Sequence, residues 1–389
     1  MKELLNKFCE TFGKGEDIRF YSAPGRVELG GNHTDHQRGA VLAASVNLDM
    51  RAAVCKNGTD VIRVKSEGYD MVEIDLSDLS VKEEDKNTTT ALIRGVADAF
   101  IRRGIALSGV DMYVVSDVFR GSGLSSSAAF EVLVGTALSD MFDAGFSAVE
   151  IAKIGQYAER EHFGKPCGLM DQMASSVGGI VAIDFLPEEP AVEKIECDLN
   201  EYGYDLVVID AGADHADLTE EYASIPSEMN SVAKLLGKEV LGEASEEEFY
   251  NNIANIRKNV GDRAVLRAVH FFRDTKRAKL EADCLRKGDF DGFLKHIRES
   301  GMSSFMYLQN IYVSGETKNQ TMAYALAVCE EFLEGKGAVR IQGGGFGGTL
   351  EAFVPKCMTE KFRDGIDKMI GKGMCTVLTI RKDGGIRIK

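Results

Sequence analysis

The segment that most constrains this chain is Arg120-Gly121-Ser122-Gly123-Leu124-Ser125-Ser126-Ser127-Ala128-Ala129, because it separates two elements of different period. Val110–Val118 before it reads as a strand, and the apolar stretch Ala128–Phe142 after it is long enough for a buried helix. A strand, a glycine-serine loop and a helix in that order form a candidate anion cradle. The first N–H groups of a helix lack intrahelical partners, and its dipole favours negative charge there. Glycine lets a ligand approach the backbone, and a serine hydroxyl at the end of the loop can ligate the magnesium that accompanies phosphates. The same residues could also make a serine-rich helix cap and nothing more.

A second glycine cluster, Gly343-Gly344-Gly345-Phe346-Gly347-Gly348, formally fits G-x-G-x-x-G but precedes the strand-like Thr349–Val354. A dinucleotide fingerprint should open a helix, so close backbone packing against another element or a ligand is the better reading. The chain has no G-x-x-x-x-G-K-[ST], H-R-D or D-F-G, which argues against a Walker P-loop and a protein-kinase fold.

Between Ala23-Pro24-Gly25-Arg26 and the next apolar run lies the polar loop Gly30-Gly31-Asn32-His33-Thr34-Asp35-His36-Gln37. Its side chains offer donors and acceptors suited to a polyhydroxylated ligand, with Arg26 as a fixed positive charge, or they could hold a polar turn together. Zinc is a poor alternative, since His33 and His36 lack a third ligand nearby and an H-E-x-x-H pattern. Glu159 falls on a helix predicted over Ala148–Phe163, and Asp171 follows a Gly/Pro/Cys turn; each suits a helix cap or a catalytic role.

With 389 residues the chain exceeds what one hydrophobic core supports, and a change to about 100 helical residues after the strand Tyr204–Asp210 suggests two domains, 1–200 and 201–389. Further strands are expected at Val61–Lys65, Met71–Leu76, Ala338–Gln342, Thr349–Val354 and Met374–Arg381, with a capping box at Ser245–Glu248. A net charge of −15 opposes binding to nucleic acid or an anionic membrane. Eight scattered cysteines and the lack of a signal-like start suggest free thiols in a cytoplasmic protein.

In chain order, APGRVELGGNHTDHQRG, GSGLSSSAAFEVLVG, CGLMDQ and RIQGGGFGGT resemble the motifs of the GHMP small-molecule kinases, and among them the galactokinases, whose signature runs A-P-G-R-V-N-L-I-G-E-H-T-D-Y. The resemblance implies a two-domain α+β fold, with an N-terminal domain like ribosomal S5 domain 2 and a ferredoxin-like C-terminal domain. It implies an ATP-dependent sugar 1-kinase giving galactose 1-phosphate and ADP, whose partners are sugar and ATP and whose state is a monomer or weak homodimer. Asp171 would orient and deprotonate the anomeric hydroxyl, and Arg26 would stabilise Asp171 and the phosphoryl group. Gly121, Ser122, Gly123, Leu124, Ser125, Ser126 and Ser127 would wrap the ATP phosphates. Ser127 and Glu159 would hold Mg2+, while Asn32, His33, Asp35, Gly168 and Tyr222 would bind sugar hydroxyls. Glycines 343–348 would brace the nucleotide loop.

The chain departs from the galactokinase pattern in three places. Asn32 stands where the family has a Glu that holds the sugar 6-hydroxyl, His36 stands for Tyr, and residues 303–315 lack an acidic pair. A carboxylate only accepts hydrogen bonds whereas an amide also donates, so Asn32 is expected to read the group at C6, and galacturonate is the alternative substrate. A sugar sensor that binds sugar and ATP without catalysis is a further alternative; the intact GLSSSAA, Glu159 and Asp171 speak against it.

Overall fold

The computed structural model describes residues 1–118, 123–212 and 218–388. Its strands are β1 (Arg19–Gly30), β2 (Ala40–Lys56), β3 (Val61–Ser66), β4 (Met71–Asp75), β5 (Val110–Ser116), β6 (Ile180–Asp184), β7 (Ala191–Ile195), β8 (Tyr204–Asp210), β9 (Ala338–Ile341), β10 (Thr349–Pro355), β11 (Cys375–Leu378) and β12 (Ile386–Arg387). They form an eight-stranded sheet, β12-β1-β2-β5-β3-β4 with β6 and β7 branching from β2, and a four-stranded antiparallel sheet, β11-β8-β10-β9. Renumbered within its own unit, the smaller sheet runs 4-1-3-2, the strand order of a ferredoxin-like βαββαβ unit.

β1 pairs with β2 over almost its whole length, but its register shifts between Pro24 and Arg26 and again between Glu28 and Gly30. Bulges bend a strand and re-aim its side chains. At the first of them Arg26 N–H donates to Leu124 O at 3.0 Å, tying the strand to the glycine-serine loop. Gly25 permits this approach, since a Cβ there would lie 3.1 Å from the same carbonyl.

The two sheets share apolar packing. The helices Asp262–Lys287 and Phe290–Ser303 supply Leu285, Phe290, Phe293 and Ile297 to a core that also holds Val27 and Val114 from the larger sheet and Phe353 from the smaller. The outer face of the smaller sheet is covered by Thr321–Leu333 and Thr359–Met369. A third cluster, around Met229, Phe249 and Phe271, joins the helices between β8 and β9.

Several expectations are corrected. A division at residue 200 does not separate the sheets, because the chain returns after β11 and β12 pairs with β1 in the larger one. The expected strand Met374–Arg381 shortens to β11 and a single bridge between Val46 and Ile380. β6 and β7 were not foreseen. The helix Ala148–Phe163 becomes an α-helix to Tyr157 and then a π-helical turn, Ala158–Phe163. Ser245 caps its helix without the reciprocal Glu248 bond, whereas Ser147 and Glu150 form the full capping box. All eight cysteines are free, and among the described residues no helix is long and apolar enough to cross a membrane.

Candidate active site

Two sequence-distant residues, Arg26 and Ser125, meet at Asp171, in the first turn of the helix Met170–Val177. Arg26 Nε and Nη2 donate to its two oxygens, each at 2.6 Å, and Ser125 Oγ donates to Oδ2 at 2.7 Å. Such a fork fixes both the orientation and the charge of a carboxylate. Burial pushes the Asp171 carboxyl up, but Arg26, Ser125 and Lys165 together outweigh it and hold the group below the ordinary carboxylate range. Ser125 reaches Asp171 from a left-handed conformation, φ 56°, which a non-glycine residue adopts only when its surroundings enforce it. The remaining arm of Arg26, Nη1, donates to Gly123 O at 2.6 Å.

Two residues on from Ser125, Ser127 Oγ donates to Glu159 Oε1 at 3.0 Å. Glu159 sits in the π-helical turn, and its other oxygen accepts from Gln172 Nε2 at 2.7 Å. Gln172 also donates to Glu131, whose carboxyl is raised well above its usual range by burial first and by the neighbouring Glu159 second. Gln172 thus bridges the two side chains, and Glu159 presents Oε1 beside the Ser127 hydroxyl. A hydroxyl and a carboxylate so close together are hard oxygen donors that fit a magnesium ion. Lys165 Nζ also donates to Glu159 Oε1, at 3.2 Å.

At the far end of β1 the glycine run meets the polar loop. Three consecutive carbonyls, of Gly343, Gly344 and Gly345, accept from Asn32 Nδ2 at 2.7 Å, His33 Nε2 at 2.9 Å and Tyr222 Oη at 2.7 Å. Glycine is required here: a Cβ on Gly344 would fall 2.3 Å from the Tyr222 ring, and one on Gly345 would fall 2.3 Å from Asn310 O. The flanking residues extend the brace, with Gln342 Nε2 donating to Gly123 O at 3.2 Å and to Thr349 Oγ1 at 2.9 Å. Bonding to a carbonyl makes His33 Nε2 the protonated nitrogen, so the buried Nδ1 is an acceptor without a partner among the described residues. Burial, and secondarily His36, lowers the His33 pKa to about 3, so the ring is neutral.

Asn32 is corrected as a sugar-reading residue. It is fully buried, and its amide hydrogens go to Gly343 O and, at 2.8 Å, to Glu28 Oε1. Its oxygen accepts from Asn310 Nδ2 at 2.8 Å and Ser304 Oγ at 3.2 Å, which leaves no free position for a sugar hydroxyl. Glu28 is held in turn by Arg340 Nη2 at 2.7 Å.

Asp35 and Gly168 are brought into contact, since a Cβ on Gly168 would lie 1.6 Å from Asp35 Oδ2. Of the phosphate loop, Gly121 and Ser122 lie outside the described residues. Gly123 and Leu124 present carbonyls to Arg26, and Ser126 opens the helix Ser126–Met141. Among the described residues no group of three or more His, Cys, Asp or Glu is placed to hold a metal. The sequence reading missed Lys165, Glu28, Arg340 and Asn310. Only Lys165 had a visible signal, as a lysine between two candidate carboxylates.

A two-domain α+β fold in which a glycine-serine helix entrance adjoins an Arg-clamped aspartate defines a small-molecule kinase of the GHMP class, a phosphotransferase. The GHMP kinase N-terminal domain model matches residues 91–179, and the galactokinase galactose-binding signature matches residues 6–56. Galactokinase from Lacticaseibacillus paracasei is 30% identical over 376 residues, covering 94% of this chain and 92% of that protein. Galactokinase from Thermotoga petrophila is 32% identical over 331 residues, 84% of this chain and 86% of its own. The structure of Lactococcus lactis galactokinase complexed with galactose superposes with a TM-score of 0.87 at 24% identity, over 100% of this chain and 99% of that one. The chain belongs to the galactokinase family.

Proposed function

We propose that this protein is an ATP-dependent galactose 1-kinase. The observation that carries this reading is the corner at Asp171, where a carboxylate held ionised by Arg26 and Ser125 lies next to the Ser127–Glu159 donor pair at the entrance of a helix. Asp171 would accept a hydrogen bond from the anomeric hydroxyl and take its proton as the sugar oxygen bonds to the γ-phosphorus and the bond to ADP breaks. A carboxylate with a depressed pKa is a weak base, which suits a loose transition state in which positioning and charge neutralisation dominate. Magnesium would be held by Ser127 and Glu159 and would neutralise charge on the phosphate oxygens when bound. The backbone N–H groups at the start of the helix Ser126–Met141 would face the phosphates. His33 Nδ1, Asp35 and the Gly168 backbone would meet sugar hydroxyls, while Tyr222 would act by fixing the glycine run.

Purified protein with Mg-ATP and a panel of free sugars tests this reading. Galactose is expected to yield a 1-phosphate, and a panel without turnover of galactose overturns it. One observation favours galacturonate as a second reading. A cavity of 420 Å3, lined by the chain neighbours of Asp35 and Gly168, includes His36, Cys167, Arg160 and Lys234 and, among the described residues, no carboxylate. Turnover of the acid in preference to galactose would select it.

A further inference from the structure

In a chain of net charge −15, a transferring phosphoryl group needs a cation that is free to meet it. Arg26 is poorly placed for that: it is buried, with its fork closed on Asp171 and its third arm on Gly123 O. Among the described residues, Lys165 is the other cation at this corner. Its ammonium sits on Glu159 Oε1, the oxygen that also accepts from Ser127, and its charge acts on Asp171, Glu131 and Tyr222. It therefore lies among the base, the proposed metal donors and the tyrosine of the sugar side. Its backbone is fixed, since Lys165 N–H donates to Glu159 O at 3.0 Å, Gly164 before it takes φ 86°, and Pro166 follows. Its side chain is 56% exposed, against 3% for Glu159, so the long arm can exchange partners without moving the backbone.

We propose that Lys165 is a further catalytic residue, which leaves Glu159 and places its ammonium on the oxygens of the phosphoryl group in transit. The inference rests on the kinase reading of the same site. In the step, the bond from phosphorus to the sugar oxygen forms, the bond to ADP breaks, the proton passes to Asp171, and Lys165 keeps all its protons and acts by charge alone. A surface ion pair with Glu159 and no part in turnover is the competing role.

Lys165→Met keeps the length of the side chain and removes the charge. It is expected to lower kcat about 100-fold, the typical effect of losing one stabilising donor, with the KM for sugar within about threefold of the parent. Lys165→Arg is expected to recover most of that loss. A second measurement involves no turnover: calorimetric binding of MgADP alone and of MgADP with aluminium fluoride, a planar stand-in for the phosphoryl group. The parent protein is expected to bind the fluoride complex at least about tenfold more tightly than MgADP, and Lys165→Met to abolish that gain while MgADP binding holds within about threefold. A kcat within about threefold of the parent, equal weakening of both nucleotide complexes, or no gain in the parent overturns the proposal. The nucleotide measurement contains no sugar, so it separates a wrong substrate from a wrong lysine. A parent protein that ignores galactose yet shows the Lys165-dependent gain sinks the substrate reading and supports this one.

Discussion

At the proposed phosphate side, charged groups face one another and are partly open: the Asp171 side chain is 27% exposed and clamped by ionic hydrogen bonds from Arg26. At the proposed sugar side, Asn32 and His33 are buried and neutral, and they donate to backbone carbonyls some 310 residues further along the chain. One side is arranged for charge that appears during reaction, and the other for shape that must not change. The proposed sugar site is thus built from contacts between distant parts of the chain, whereas the proposed base and metal donors come from the compact stretch 125–171.

The sharpest way to break this contrast is Asp171→Ala. It is expected to lower kcat by about 1,000-fold or more while sugar and nucleotide still raise the melting temperature, because general-base groups contribute chiefly to the transition state. A twofold loss would mean that the base lies elsewhere. On the sugar side the damage should be to stability. Asn32→Asp turns a donor into an acceptor against Glu28 and Gly343 O, at an expected cost of about 2–3 kcal/mol in urea unfolding. The ratio of kcat/KM for galactose over 6-deoxygalactose should stay constant in that variant. If stability holds and the ratio moves instead, residue 32 faces the sugar after all.

The smallest expected effect is a pH slope. Burial, opposed by Arg340, raises the Glu351 pKa to about 8, so the folded protein retains a proton that the unfolded chain has lost. Its stabilising contribution is complete below pH 4.5 and is lost as pH rises toward 8. Melting temperature should fall over that window in the parent and fall less in Glu351→Gln; identical slopes would show that Glu351 titrates normally.

What could be read from the sequence follows the same divide. Asp171, Arg26, Ser127 and Glu159 announce themselves by residue type beside a glycine-serine loop, and the structure brings them together as two adjoining pairs. Asn32 was misread because its chemistry suits a ligand as well as a carbonyl, and only the distant Glu28, Asn310 and Gly343 decide between them. The buried Arg340 and Glu351 looked like ordinary strand residues, since alternation does not show which charges will be enclosed. β6 and β7 were missed because Ile180–Ile195 carries no motif, and β12 because a two-residue strand has no period to detect.

That short strand has a consequence for how the molecule is made. β12 borders β1, and Arg381 just before it donates to Ser22 Oγ at 2.7 Å and Asp49 Oδ2 at 2.9 Å. During translation, the sheet that carries Arg26 and the polar loop therefore stays open along one edge until every strand of the second sheet has been synthesised. The nascent first half has to be kept from pairing with other chains throughout that interval.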